Sequence, residues 1–174
     1  MREEILLKKL REGEESALEQ LVCLYYPDIL RYCIWHAPDR HLAEDAAQET
    51  FLKAINYMGA CGFSGKFKAF LYKIALNTCR DMQKSKWSKR IPLDGMSDEI
   101  HYHEEGFTDI EEALVIRAYT RKLDELSQEI VLLRFRQNLR LREISEVVGL
   151  PMRTVQSKLR TALRQIETEL KGGR

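Results

Sequence analysis

Leu141-Arg-Glu-Ile-Ser-Glu-Val-Val-Gly149-Leu-Pro151-Met-Arg-Thr-Val-Gln-Ser-Lys-Leu-Arg-Thr-Ala-Leu-Arg-Gln-Ile166 reads as two short amphipathic helices hinged at Gly149. Glycine supplies the left-handed conformation that ends a helix, and Pro151 fits only at the opening of the next one. At about 100° per residue, Val155, Leu159, Ala162 and Ile166 line one side of the second helix, and Arg153, Gln156, Ser157, Arg160 and Arg164 line the other. The apolar stripe should pack and the polar stripe should face a groove, which is how a helix-turn-helix meets duplex DNA. A helical hairpin with a merely solvated face has the same periodicity, so charge sign has to separate the two. Between Arg134 and Arg164 there are eight Lys or Arg (134, 136, 140, 142, 153, 158, 160 and 164) and two acids, Glu143 and Glu146. A solvated face mixes the signs more evenly.

Outward from this stretch the charges are segregated, although the whole chain of 174 residues carries a net charge of only +1. Residues 66–90 hold eight basic side chains and one acid, Asp81, whereas residues 94–112 hold eight acids and no Lys or Arg. Two basic blocks separated by an acidic one suggest two polyanion-binding surfaces and a connector that avoids them. The stretch from Ile91 to Thr108 also loses helical periodicity and contains Pro92, Gly95 and Gly106, as an extended linker does. Residues 3–90 have the period of several helices, with breaks expected at Gly13, Pro27, Pro38 to Asp39, and Gly59 to Gly65. Helical patterning resumes near Asp109 and continues to Leu170, leaving Lys171 to Arg174 as a frayed tail. The expected fold class is all-α: two small helical domains, 1–90 and 111–174, joined by a flexible acidic linker at 91–110.

Two helices of the first domain carry distinct faces. In Ala43 to Met58, Ala43, Ala47, Phe51, Ala54 and Met58 form the apolar side, and Asp45, Gln48, Glu49 and Leu52 gather opposite. A leucine ringed by acids and an amide can be an ordinary exposed residue or the anchor of a docking surface. In Phe70 to Lys84, Leu71, Ile74, Ala75, Thr78 and Met82 share the inner side, and Lys73, Asn77, Arg80 and Lys84 the outer. Asparagine can hydrogen-bond base edges, and Lys or Arg neutralise phosphates. Upstream, Cys61-Gly-Phe-Ser-Gly-Lys-Phe-Lys-Ala-Phe-Leu-Tyr72 mixes glycines, lysines and aromatics, a composition that suits single-stranded nucleic acid. Phe70 is expected in the core, while Phe63 and Lys66, in the Gly-bounded loop, are open to either role.

Other classes gain little. No apolar run approaches the ~20 residues of a bilayer span, so the chain is expected in the cytoplasm without stable membrane insertion. Cys23, Cys33, Cys61 and Cys79 form no C-x-x-C pair, and Cys33, His36 and His41 have weak metal-ligand spacing, so no metal or cofactor is expected. His101 and His103 alternate in an expected loop, where a solvated spacer is as good a reading as a ligand. No phosphate loop or nucleophile motif supports an enzyme.

Three motifs in order, Ala43-Glu-Asp-Ala-Ala-Gln-Glu-Thr-Phe-Leu-Lys-Ala54, Phe67-Lys-Ala-Phe-Leu-Tyr-Lys-Ile-Ala-Leu-Asn77 and the helix-turn-helix, resemble the bacterial extracytoplasmic-function sigma factors, small two-domain members of the sigma-70 class. The resemblance covers roughly residues 5–170. It implies a transcription initiation factor that binds core RNA polymerase through the β′ clamp and β flap, recognises promoter DNA and helps to melt it. By this resemblance Asp45, Gln48, Glu49 and Leu52 correspond to the surface that docks on the clamp coiled coil. Phe63, Lys66, Lys73, Asn77, Arg80 and Lys84 correspond to the part that captures a flipped base and reads the −10 element. Arg153, Thr154, Gln156, Ser157, Lys158, Arg160, Thr161 and Arg164 correspond to the −35 reading helix. The acidic linker corresponds to the segment that threads the RNA path. The resemblance also implies an anti-sigma partner, often membrane-bound, and a nucleoid-associated active state.

The chain departs from the family pattern at several places. The base-capture loop is short. Arg140 stands where Ser or Thr caps the first helix of the motif, losing a cap worth ~1 kcal/mol. Arg153 replaces a frequent Gly, Gln156 and Lys158 stand where arginines are common, and Thr161 and Leu163 replace basic residues. Glutamine would favour adenine and Arg160 guanine at a base edge. The competing reading is a stand-alone helix-turn-helix regulator, which would bind duplex DNA without polymerase, often at a two-fold site.

Overall fold

A computed structural model describes residues 2–61, 65–87 and 116–172; these are helices and the turns between them, with no strand among the described residues. Phe63, His101, His103 and the acidic connector lie outside the described residues. The chain divides into two compact units, Met1–Leu93 and Asp94–Arg174.

The first unit contains α1 (Arg2–Arg11), α2 (Glu15–His36), α3 (Arg40–Cys61) and α4 (Phe67–Met82), and α4 runs into a wider helical turn over Gln83–Trp87. Helix α1 places Glu3 and Glu4 in its first turn and Lys8, Lys9 and Arg11 in its last, complementing the helix dipole at both ends. Gly13, at φ +87°, makes the turn into α2. The Tyr25 hydroxyl donates to the Glu3 carboxylate and latches α1 onto α2. Asp39 opens α3 by accepting the Leu42 N–H at 2.9 Å, which explains the break at Pro38 to Asp39.

The expected break at Pro27 does not occur: α2 continues through it to His36. Proline inside a helix costs about 3 kcal/mol or more. Packing outweighs that cost, since Leu21, Tyr25, Ile29 and Tyr32 are all buried along the same helix while Pro27 faces solvent. Gly59 is likewise helical, so the break after α3 begins only beyond Cys61.

The core of this unit is built on aromatic contacts. Tyr32 and Tyr72 meet edge to face at 5.2 Å, and Tyr25 meets Phe67 at 5.5 Å. Alanines 43, 46, 47 and 54 on α3 and 69 and 75 on α4 are buried, and their small side chains let these helices approach closely. Burial pushes the Tyr25 and Tyr72 hydroxyls far above the ordinary tyrosine range, so both remain neutral.

In the second unit residues 116–120 are helical, followed by α5 (Glu125–Val131), a wider turn over Leu132–Arg136, α6 (Leu141–Val148) and α7 (Met152–Gly172). Asp124 caps α5, accepting the Ser127 N–H at 3.1 Å and the Ser127 hydroxyl at 2.6 Å. Ile130, Leu132, Leu133, Leu139, Ile144 and Val155 are essentially inaccessible and form the core. Burying each stabilises the unit by roughly 1.5–3 kcal/mol before entropy is counted. The frayed tail expected from Lys171 does not begin there, because α7 extends to Gly172; residues 173 and 174 lie outside the described residues. A Glu167–Lys171 pair one turn apart, with the lysine at the C-terminal end, suits both the helix ladder and its dipole.

Candidate nucleic-acid interface

The hinge between α6 and α7 follows from its residues. Gly149 sits at φ +71°, and both its own N–H and that of Leu150 return to the Ser145 carbonyl, at 3.0 and 3.2 Å. The Ser145 hydroxyl donates to the Leu150 carbonyl at 2.6 Å and closes the turn. Pro151 then offers its carbonyl to the N–H groups of Thr154 and Val155, starting α7 without needing a donor of its own. At the other end of α6, Arg140 makes no side-chain cap, as its chemistry dictates. Half of the reciprocal cap survives, because the Glu143 carboxylate accepts the Arg140 N–H at 2.6 Å.

On α7, Val155, Leu159 and Ala162 are buried and Ile166 is half-buried, so the expected stripe packs inward. Arg153, Gln156, Ser157, Arg160, Thr161 and Arg164 are exposed. Thr154 and Lys158 are half-buried at the edge of the face. The Lys158 ammonium lies 3.5 Å from Asp124, the cap of α5. Its hydrogen bonds from Ser127, with Lys158 adding a smaller pull, hold the Asp124 carboxyl below the usual aspartate range. Asp124 therefore caps α5 and also links it to α7. Nothing in the helical period of α7 could have announced that link.

The outer face of α4 presents Lys73, Asn77 and Arg80 in the helix and Lys84 in the wider turn after it, all exposed. Leu71, Ala75, Thr78 and Met82 turn inward, and Ile74 is half-buried. Lys66 is exposed at the N-cap of α4. Phe67 and Tyr72 are core, whereas Phe70 is only half-buried, on the same side of the helix as Lys73 and Asn77. Its ring lies 5.3 Å from that of Tyr57, an exposed residue of α3 that helical periodicity alone did not single out.

Helix α3 presents a third surface. Asp45, Gln48 and Leu52 are exposed and Glu49 is half-buried beside Lys53, 3.7 Å away. Leu52 is 56% exposed on a helix whose Ala43, Ala47, Phe51 and Ala54 are buried, so more than half of it faces solvent. Lys53 also reaches the Thr78 hydroxyl at 3.3 Å and ties α3 to α4.

Among the described residues no three His, Cys, Asp or Glu side chains gather as a metal site, and no helix is long and apolar enough to cross a membrane. Cys33 and Cys79 are buried and Cys23 is exposed, and none of the three is in a disulfide.

Residues 21–89 match the family model of sigma-70 region 2, and residues 113–166 match that of sigma-70 region 4. The chain is 26% identical to the ECF RNA polymerase sigma factor SigW of Bacillus subtilis, with 91% of this chain and 93% of that protein covered. It is 30% identical to the ECF sigma factor BldN of Streptomyces coelicolor over 83% of this chain and 56% of BldN. In fold it is similar to CnrH, solved in complex with the cytosolic domain of CnrY, at a TM-score of 0.72 and 20% identity over the whole of both chains. A second neighbour is RpoE of Bartonella quintana, solved with the anti-sigma factor NepR, at a TM-score of 0.61 and 18% identity over 90% of this chain and 98% of that one. Helices with the spacing of both regions, in the right order along one chain, settle the affiliation: it belongs to the sigma-70 family as an extracytoplasmic-function sigma factor, a subunit that directs promoter-specific transcription initiation by RNA polymerase.

Proposed function

We propose that the three exposed surfaces divide the work of initiation. Asp45, Gln48, Glu49 and Leu52 on α3 dock on the clamp coiled coil of the polymerase β′ subunit. Phe63, Lys66, Lys73, Asn77, Arg80 and Lys84 engage the −10 element. Arg153, Thr154, Gln156, Ser157, Lys158, Arg160, Thr161 and Arg164 present α7 to the −35 element, while the same C-terminal domain rests on the β flap. Residues 1–90 thus act as the polymerase and −10 domain, 91–110 as the linker and 111–174 as the −35 domain. The chain carries out no covalent chemistry of its own; it binds, positions and holds DNA open.

The observation that carries this reading is the row of exposed cations and one amide on α4, repeated in kind on α7, with a solvent-facing leucine on α3 one turn after Gln48 and Glu49. Cations supply phosphate affinity that is indifferent to sequence, and Asn77, Gln156 and Arg160 can read base edges. Separate domains gain avidity when polymerase fixes the spacing of both elements. Unstacking a base costs a few kcal/mol, which contacts in the −10 domain offset.

A regulator of the anti-sigma type would act most directly by covering the α3 face and the α4 row. RpoE of B. quintana, similar in fold, is solved with such a partner. The chain would then work in the cytoplasm and on the nucleoid, tethered to the membrane only through that partner.

The test is selection from a promoter library by polymerase loaded with the wild type, Asn77→Ala or Arg160→Ala. The reading expects Asn77→Ala to relax preference only within the −10 element and Arg160→Ala only within the −35 element. Unchanged profiles, or both variants altering one element, would overturn the division.

A further inference from the structure

Helix α4 and its entry carry an ordered ladder: Lys66, Phe70, Lys73, Asn77, Arg80 and Lys84 recur at spacings of four, three, four, three and four, the spacing of residues on one helix face. Five of the six are exposed, and all five are basic or amide side chains. The sixth, Phe70, interrupts the polar row with a ring, yet that ring is not the outermost aromatic group. Tyr57 comes in from α3 and lies against it, with centroids 5.3 Å apart and planes tilted by 48°. Behind Phe70 stands Phe67, 6.2 Å away, which is buried and in turn meets Tyr25 edge-on at 5.5 Å.

Four rings therefore run from the core outward and end at Tyr57, which is 52% exposed. A single exposed ring is ordinary on a protein surface, so the bracing behind this one is what sets it apart. Here it is braced from behind, so little side-chain entropy remains to be lost when something stacks on its open face. Along α4, exposed Lys66 precedes Phe70, the ring that Tyr57 lies against, and exposed Lys73 follows it. On α3 itself, Lys53 lies one turn before Tyr57, reaching the Thr78 hydroxyl at 3.3 Å and the Glu49 carboxylate at 3.7 Å. A flat hydrophobic face between positive charges is the arrangement that grips an unpaired nucleotide: the ring takes the base and the cations take the phosphates on either side.

We propose that Tyr57 is a stacking shelf for an unpaired base of the melted promoter strand, contributed by α3 and braced by Phe70. The proposal rests on the −10 assignment of the α4 row and adds a residue with a different task. Asn77 discriminates between bases by hydrogen bonding. Tyr57 accepts any base, because every base has a π face, and favours the unpaired strand over the duplex.

The experiment uses polymerase holoenzyme reconstituted with each variant. The probe is a single-stranded oligonucleotide carrying the −10 element of a promoter selected by this protein, with 2-aminopurine placed at each position in turn. Tyr57→Leu keeps an apolar cover over Phe70 but removes the ring, and Tyr57→Met serves should the leucine variant misfold. Loss of one base stack predicts roughly 5- to 150-fold weaker binding and loss of 2-aminopurine quenching at one position. The base preference and the salt slope should stay as in the wild type, and Tyr57→Phe should restore both affinity and quenching. Lys73→Ala, by contrast, should lower the salt slope. Wild-type affinity in Tyr57→Leu, with Asn77→Ala weakened, would overturn the shelf and leave the −10 assignment standing. Wild-type affinity in both would overturn the two together.

Discussion

Replacing Gly149 by alanine isolates one term of the helix-turn-helix. The residue sits at φ +71° and ψ 29°, and a Cβ built there meets no atom within 4 Å. The cost is therefore conformational and not steric. An L-residue in the left-handed region loses about 1–2 kcal/mol relative to glycine. Alanine also restricts the unfolded chain, which returns about 0.4–1 kcal/mol. The expected net destabilisation of the second unit is about 1 kcal/mol, with asparagine costing less and valine more. Native-state hydrogen exchange of core amides such as Val155 and Leu159 in the full chain measures it, and a loss of this size speeds their exchange about fivefold. The hydrogen bonds that hold the turn run to Ser145 from backbone groups that alanine retains, so the −35 preference should not change. A loss above about 3 kcal/mol would mean that the Cβ meets something, and a wild-type stability that the residue is not left-handed.

Leu52→Asp should abolish binding to core polymerase while leaving far-UV circular dichroism and melting unchanged, since the side chain is mostly in solvent; binding at normal affinity would refute the docking face. Arg160→Ala should weaken promoter use by ~1–3 kcal/mol and relax preference at one −35 position, as a promoter library would show. Asp124→Ala should cost about 1 kcal/mol at neutral pH through the lost cap. Because the folded carboxyl titrates below its unfolded value, that stability is present at neutral pH and is lost as the pH falls through the folded value. Urea melts of the two proteins should accordingly converge in acid, and a gap that widens there would contradict the assignment.

The two faces of α7 were legible in the sequence because they depend only on helical period: the buried Val155, Leu159 and Ala162 and the exposed Arg153, Gln156 and Arg160 alternate as 100° per residue requires. The hinge was legible because only glycine occupies its conformation readily. Pro27 was misleading, since a local rule about helix breakers ignores the burial gained by Tyr25 and Ile29 on either side. The Lys158–Asp124 and Tyr57–Phe70 contacts join residues 34 and 13 positions apart and depend on how separate helices pack. No pattern within one helix encodes such pairs, which is why the half-burial of Lys158 and the aromatic shelf emerge only in three dimensions.

Run-off transcription with sigma-free bacterial core polymerase on a library of promoter fragments tests the central claim most directly. The account predicts specific starts that depend on the added protein, each preceded by a −10 and a −35 sequence at fixed spacing. No starts, together with tight binding to duplex DNA in the absence of polymerase, would contradict it.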